Sequence, residues 1–532
     1  VRNFDWAAGD VGALLDTGSI SSYGETVTIA KYSYAAASPT LLATIEDGRG
    51  IIVQTIGYDG TGRASYSALA GGAESAVVDD TAGGIVETNA YGLQTTYQTT
   101  RIEGQERVTQ IDGAAAENCL ATTQSLGYTP VGLNAPDGYI YERINRNGAV
   151  TRYERDVRGL VTRMSEAATG AEQRVTTYDW VPTFRLMRER ASVELKENWT
   201  YVPGSALVAT YAQEDVLSGS PDFGETRTWT NGYTTLGSGL TVLTSSDGPG
   251  LVSEGATDVT TYTYDPTDGL LLTMTDPVGL TMEVMSRSPL GQPERVRMPD
   301  GIEFEFAYDF RGRLITSTFD AAGTDPYSSF YHYDAIRQLL SITDAKGDIW
   351  TFTYDDVGRL IAEFSPDGDR INYRYDEAGN ISGEYHTALA RRTFSQETEF
   401  DALGRIFRTL GAEGQTTEIN YDVEDNPTRL VDGLGNATIN GFDALNRLIQ
   451  ITDRESFVTE MNLDETDQMT SFEDTRELTT RFTYNGFGDL IEEVSPDRGT
   501  MVMQYDRRGL MTRSIDGRGV VTNYAYDDAG RL

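Results

Sequence analysis

The sequence predicts an all-β chain of tandem β-hairpins, about 21 residues each, and three observations carry that prediction. An aromatic residue recurs at a fixed interval. Apolar and polar residues alternate between the recurrences. Aspartate and glycine return at fixed offsets after each aromatic.

The interval comes first. From residue 308 the opening aromatic recurs at Tyr308, Tyr333, Tyr354, Tyr375, Phe400, Tyr421, Phe442, Leu463, Tyr484, Tyr505 and Tyr526. Eight of the ten intervals are equal, and the two longer ones, 308 to 333 and 375 to 400, carry four extra residues each. Tyr264 and a degenerate Met285 extend the series backwards. A fixed period of this size means one supersecondary unit per repeat, stacked on its neighbours to share a core.

The alternation identifies the unit. Ile371, Tyr373 and Tyr375 interleave with Asn372, Arg374 and Asp376, and Trp350, Phe352 and Tyr354 repeat the pattern one unit earlier. A period of two is the signature of a half-buried strand. Two strands of about six residues and two turns fill one repeat, so each repeat reads as a hairpin.

The offsets identify the turns. In Asp355-Asp356-Val357-Gly358 the first aspartate suits the first position of a type I turn, where its carboxylate accepts backbone N–H groups. Gly358 falls where a following bulge requires positive φ. The same tyrosine-aspartate-glycine set is Tyr308, Asp309, Gly312; Tyr375, Asp376, Gly379; Tyr505, Asp506, Gly509; and Tyr526, Asp527, Gly530, with Asp401 and Gly404 after Phe400. Gly488 also holds this position. Asp425, Asn446 and Asp467 replace the glycine in three repeats, and these residue types tolerate left-handed geometry. Arg337 breaks the rule. The second turn of the repeat is "SPDGD" at 365–369, echoed at Pro299-Asp300-Gly301 and Pro496-Asp497. These turn residues are read as structural, and the opening tyrosine as a strand-end aromatic stacking on its counterparts in adjacent hairpins.

Residues 1–257 are a β-rich region in which the repeat is less regular, and 258–532 are the regular array. Alternating "ETVTIAKYSY" at 25–34 favours strands. "NRNGAVTRYERDVRGLVTR" at 145–163, with Tyr153 as the aromatic and Gly159 near the turn, reads as a diverged hairpin. Tyr178-Asp179 follows Tyr153 at the longer of the two intervals, and "GYDGTGR" at 57–63 is a weaker echo. Diverged hairpins of one strip are favoured over a separate domain. "SGSPDFG" at 218–224 is the candidate for a long exposed loop.

Composition bounds the function. A net charge of -38 argues against a nucleic-acid partner, which needs a basic footprint. Only Lys31, Lys196 and Lys346 among the 43 cations are lysines, which fits high salt, an extracellular setting or a GC-rich genome. No apolar run reaches the ~18 residues a membrane helix needs. A single cysteine, Cys119, leaves no internal disulfide and reads as a small buried apolar residue. Val1 is not an initiator and "YDDAGRL" stops at the opening of a repeat, so a longer protein is expected.

Catalysis has little to stand on. His332 and His386 are the only histidines, so a two-histidine zinc motif is unavailable. His332 is expected on a hairpin surface, and His386 at the opening of an inserted loop. No G-x-S-x-G elbow, P-loop or dinucleotide fingerprint occurs. Asp265-Pro266-Thr267-Asp268-Gly269 and the pair Asp355-Asp356 offer oxygen ligands, but neither has the length of a complete calcium loop. No catalytic residue, cofactor or metal site is assigned. Arg313, Arg359, Arg405, Arg447 and Arg531 follow the turns and either bridge the turn aspartates or lie solvated on a strand.

"YDFRGRL", "YDDVGRL", "YDEAGNI", "FDALGRI", "FDALNRL" and "YDDAGRL" resemble the YD repeats of the Rhs family, shared with shell subunits of Tc toxin complexes and with teneurins. The match runs from about Tyr262 to Leu532. The resemblance implies that the hairpins join edge to edge in one spiralling sheet that forms a hollow shell or barrel. It implies an enclosed C-terminal toxin or other cargo polypeptide, and other shell or delivery subunits, as partners. Family members that encase toxins carry an aspartyl autoprotease after the repeats; nothing here matches it, and Asp276-Pro277-Val278-Gly279 is a faint likeness at a repeat turn. Two readings stay open. One is a secreted shell segment enclosing a cargo, which the bacterial-style regularity fits. The other is an extracellular or cell-surface adhesion body, which the acidic surface fits.

Overall fold

Among the described residues, forty-five strands, from Arg2–Gly9 to Val521–Asn523, form one antiparallel sheet. Each strand pairs with the strands immediately before and after it in sequence, as the first, middle and last pairs illustrate. The structure is a computed structural model that describes residues 2–9, 12–22, 25–36, 38–129, 138–170, 172–250, 258–388 and 391–532. The one helical element among them is a three-residue 3-10 turn, Ala70–Gly72. Thr241–Asp247 pairs with Val259–Tyr264, so the sheet continues from the first half of the chain into the second. The division expected at 257 lies outside the described residues.

Within a repeat the register breaks in one place. Thr353 faces Ala362 and Tyr354 faces Leu360, which leaves Ile361 as a one-residue bulge beside the turn. The same break precedes Tyr308, Tyr375, Tyr421 and Tyr505. Such a bulge adds local twist and lets every turn leave the strip at the same angle. All turns after odd-numbered strands then lie on one rim, and all turns after even-numbered strands on the other.

The two longer intervals differ. At 320–326 the extra residues form a loop between Leu314–Phe319 and Tyr327–Tyr333. In the second interval they lengthen the hairpin to Ile381–Ala388 and Arg391–Phe400. His386 therefore lies within a strand rather than at a loop opening, and its ring packs 4.8 Å from that of Phe394. Cross-strand packing holds a pair facing each other across a narrow ladder better than a floppy four-residue loop would. His332 is exposed on Tyr327–Tyr333.

The strip coils. Arg49, on the turn after Ser38–Asp47, donates to the carbonyl of Asp356, 307 residues later, at 2.9 Å. Glu74 N donates to Glu377 O at 2.8 Å, Asn89 Nδ2 to Ala402 O at 2.8 Å, and Asn147 N to Glu424 Oε1 at 2.8 Å. Each contact joins an even-rim turn of the first half to an odd-rim turn of the second. Successive windings of one strip thus stack rim on rim. Numbered in chain order, the turn after strand 4 (Ser38–Asp47) meets the turn after strand 29 (Ile349–Tyr354), and the end of strand 18 (Val208–Asp215) meets the turn after strand 41 (Thr479–Tyr484). One winding takes about 24 strands, a circumference of ~115 Å and a ring ~37 Å across at ~4.8 Å per strand.

Stacked sheets pack only about 10 Å apart, so walls at this separation cannot cover each other. The exposed area agrees. It is 29768 Å², against about 19,000 Å² for a compact globule of this mass. Among the described residues, buried apolar side chains are few, including Ala68, Leu93, Ala362 and Met503. The wall is one sheet thick around a lumen.

Candidate functional site

The repeat turn is the chemical unit of the wall. Asp355 N donates to Arg359 O at 2.9 Å and Gly358 N to Asp355 O at 3.1 Å. Asp355 Oδ1 accepts from Val357 N and Arg359 N at 3.1 and 2.8 Å, and Oδ2 accepts from Arg359 Nε at 2.7 Å. One carboxylate therefore satisfies the turn and fixes the following arginine. Asp309, Asp401 and Asp527 hold Arg313, Arg405 and Arg531 in the same way. Burial would raise the Asp309 carboxyl, but the N–H groups of Arg313 and Arg311 and the Arg313 side chain hold it below the usual carboxylate range.

Gly358 has φ +93°. Asp425, Asn446 and Asp467 take φ +70°, +64° and +71° at the equivalent position. Arg337 takes φ +87°, so it breaks the residue pattern and keeps the geometry. Gly312, Gly379, Gly404, Gly509 and Gly530 share that conformation. Asp265 spends Oδ1 on Thr267 N at 2.7 Å, the same local use of a turn carboxylate.

The opening tyrosine does something other than stack on its counterparts. Tyr375 OH donates to Leu360 O at 2.7 Å, and Tyr308, Tyr354, Tyr421, Tyr505 and Tyr526 each donate to the carbonyl 15 residues back. Each bond ties the end of one hairpin to the bulged strand of the previous one. The ring faces a guanidinium. Arg313 lies 4.8 Å over Tyr333, Arg359 4.5 Å over Tyr375 and Arg405 4.4 Å over Tyr421. An arginine already bound to its own aspartate thus fills the space where two rings would have met. Phe442 lacks the hydroxyl, and Asn440 Nδ2 donates to the same carbonyl, Pro427 O, at 2.9 Å.

The first half uses this chemistry unevenly. Tyr58, Asp59, Gly62 and Arg63 form the complete unit, with Tyr58 OH on Leu42 O at 2.7 Å. Around Gly159, which has φ +82°, Asp156 is the turn aspartate and Arg155 precedes it, so Tyr153 sits two residues short of the expected place. Tyr178-Asp179 lies inside a strand. Trp180 holds the strand end instead and donates from Nε1 to Val161 O at 2.7 Å.

Where windings meet, charged groups cross. Arg174 bridges to Asp467 at 2.8 Å and Arg146 to Asp425 at 2.8 Å. Tyr91 OH bonds the Asp376 carboxylate and accepts from Asn380 Nδ2 at 2.6 Å. Cys119 is buried on the seam, with Sγ 3.7 Å from an Arg405 nitrogen, and burial pushes its thiol up. Glu194 is 7% exposed and accepts from Thr466 Oγ1 at 2.6 Å and Gln468 Nε2 at 3.0 Å. Burial pushes its carboxyl up; the Thr466 bond opposes this, while Asp464, Glu465 and Asp215 add to it. A cleft of about 500 Å³ opens there, between Glu166, Arg174, Arg190, Glu194 and Gln468. The "SGSPDFG" stretch lies in the loop 216–225, and Phe223 is exposed, yet Asp222 accepts from Asn485 across the seam, and Ser220 bonds Asp215 beside it. Nothing in the sequence signalled these crossings, because their partners stand about half the chain apart.

A repeated unit that closes one turn on itself, ties each hairpin to the last and stacks windings has a counterpart among known families. The model of the teneurin YD-shell family matches residues 232–389 and 367–532, more than half of the chain. The chain belongs to the teneurin YD-shell family. The crystal structure of TcdB2-TccC3 matches this YD-shell chain over 99% of its residues, with a TM-score of 0.53 at 12% identity. A structure of the same pair without a hypervariable C-terminal region covers 100% of it, with a TM-score of 0.46 at 11% identity. The YD-shell chain spans about a third of the length of these solved chains, 34% and 36%. At such identity the first likeness shows the fold. No curated protein matches in sequence.

Proposed function

We propose that this chain is a wall segment of a hollow shell that encloses and delivers a toxin or other cargo polypeptide, and that it works outside the cell that makes it. The observation that carries the reading is the rim-on-rim winding of a one-layer sheet about 24 strands around. Such a wall separates an interior from solvent without any enzymatic group of its own, so the YD turns act as structural fasteners. Residues 1–257 belong to the same wall as diverged hairpins. The likeness to a two-component structure, TcdB2-TccC3, supports a segment that works with further shell or delivery subunits.

The test is electron cryomicroscopy of the full-length protein, with proteinase K protection measured in parallel. Lumenal density beyond the wall, and a polypeptide that resists protease until the wall is denatured, are expected. An empty lumen and no protected polypeptide would overturn the reading. The net charge of -38 favours a second one, an extracellular or cell-surface adhesion body, and that outcome would promote it.

A further inference from the structure

One repeat lacks both the turn aspartate and a cationic or neutral partner four residues on. At 484–489 the sequence is Tyr-Asn-Gly-Phe-Gly-Asp, with Asn485 in place of the turn aspartate and Asp489 in place of the arginine. Asn485 Oδ1 still caps the turn, accepting from Phe487 N and Asp489 N at 3.1 and 2.9 Å. The missing guanidinium comes from the other winding. Arg227 bonds the Asp489 carboxylate and lies 4.0 Å over the Phe487 ring.

The exchange is reciprocal. Asn485 Nδ2 donates to Asp222 Oδ2 at 2.7 Å, and Gly486 N donates to Asp215 Oδ2 at 2.8 Å. Asn485 and Asp215 are both 0% exposed, the two largest fully buried side chains among the described residues. An aspartate at 485 would face Asp215, Asp222 and Asp489 together. The repeat before it makes the same concession: Gln468 replaces the arginine and donates to Glu194.

We infer that Asp215, Asp222 and Arg227, with Asn485 and Asp489, are the register key of the spiral, specifying which repeats face each other and so how many strands make one winding. A wall whose turns share one chemistry needs such a key, and at this crossing a side chain from each winding, Asn485 and Asp215, is fully buried. A slip by one repeat would set Asp222 against Asp464 or Asp506, and Arg227 against Gln468 or Leu510. Each slipped state buries a carboxylate beside another, and a charge without its partner, which is the costly arrangement. The inference concerns the winding alone and does not depend on what the lumen holds.

Hydrogen exchange read by mass spectrometry tests it on this chain. The variant N485D/D489R restores the ordinary repeat, so its own turn stays satisfied. Its 216–225 loop is expected to exchange about tenfold faster than in the parent, while the 309–313 turn, away from the key, stays unchanged. The charge reversal R227D/D489R is expected to protect the loop better than D489R alone. Equal exchange in the parent and N485D/D489R would overturn the inference. So would a reversal no better protected than D489R, with the 309–313 turn intact in both.

Discussion

The Arg405 guanidinium lies 4.4 Å over the ring of Tyr421, the aromatic that opens the next repeat, while its Nε donates to Asp401 at 2.8 Å. It also reaches Asp425 at 2.6 Å and the carbonyl of Asn118 in the facing winding at 3.3 Å. Asp401 is 2% exposed. Removing the arginine strands that carboxylate, so Arg405→Met should cost about 3 kcal/mol in urea unfolding. Arg531 makes the same pair at the surface, where solvent screens it, and Arg531→Met should cost much less. Equal midpoints for the two variants would refute the account.

The tyrosine hydroxyl predicts a selective effect. Tyr375→Phe leaves Leu360 O without its donor and should lose ~1 kcal/mol. Phe442→Tyr should gain less than that, because Asn440 already donates to Pro427 O, although one carbonyl can take both donors, as Val208 O does from Asn231 and Tyr233. A Phe442→Tyr gain as large as the Tyr375→Phe loss would show that the Asn440 bond adds nothing at Pro427 O.

Backbone conformation predicts opposite signs at equivalent positions. Gly358→Val should destabilise by more than ~1 kcal/mol, since a β-branched residue resists φ +93°. Arg337→Gly should stabilise by roughly 1 kcal/mol, since the arginine already bears that strain at φ +87°. Chemical denaturation of both variants decides the matter, and a shift of the same sign in each would contradict it.

Acid should act on the wall in two directions. Asp47 and Asp309 are held below their usual range against the pull of burial, Asp47 by the Arg49 side chain and by N–H bonds and Asp309 by the Arg313 and Arg311 groups. Their stabilisation is present above the ordinary value of 3.8 and is lost as pH falls through the depressed values. Glu194 is raised by burial, so its contribution is full below 4.5 and is lost as pH rises through the raised value. Glu194→Gln should therefore raise the melting temperature at pH 7 and flatten its dependence just above pH 4.5. A variant that melts with the parent across this range would remove Glu194 from the pH response.

The repeats alone determined the hairpin, its turns and the all-β strip, because each of these is settled by contacts within one repeat or between adjacent ones. Glycine, asparagine and aspartate at one position betray a positive φ whatever the rest of the chain does. The aspartate-arginine pair lay four residues apart and was legible as one of two options. The arginine over the next ring was not, because sequence spacing carries no direction for a side chain. His386 was misplaced because an insertion of four residues can lengthen a ladder or open a loop, and only the facing strand decides.

Tertiary structure decided the winding. Rim contacts join residues 262 to 313 positions apart, with no local signature, and they set the ring at about 24 strands. Arg227 and Asp222 stand opposite the "NGFGD" repeat, about half the chain away in sequence. Asn485 and Asp489 make sense only there, because the electrostatics of a buried polar group depend on what faces it across space.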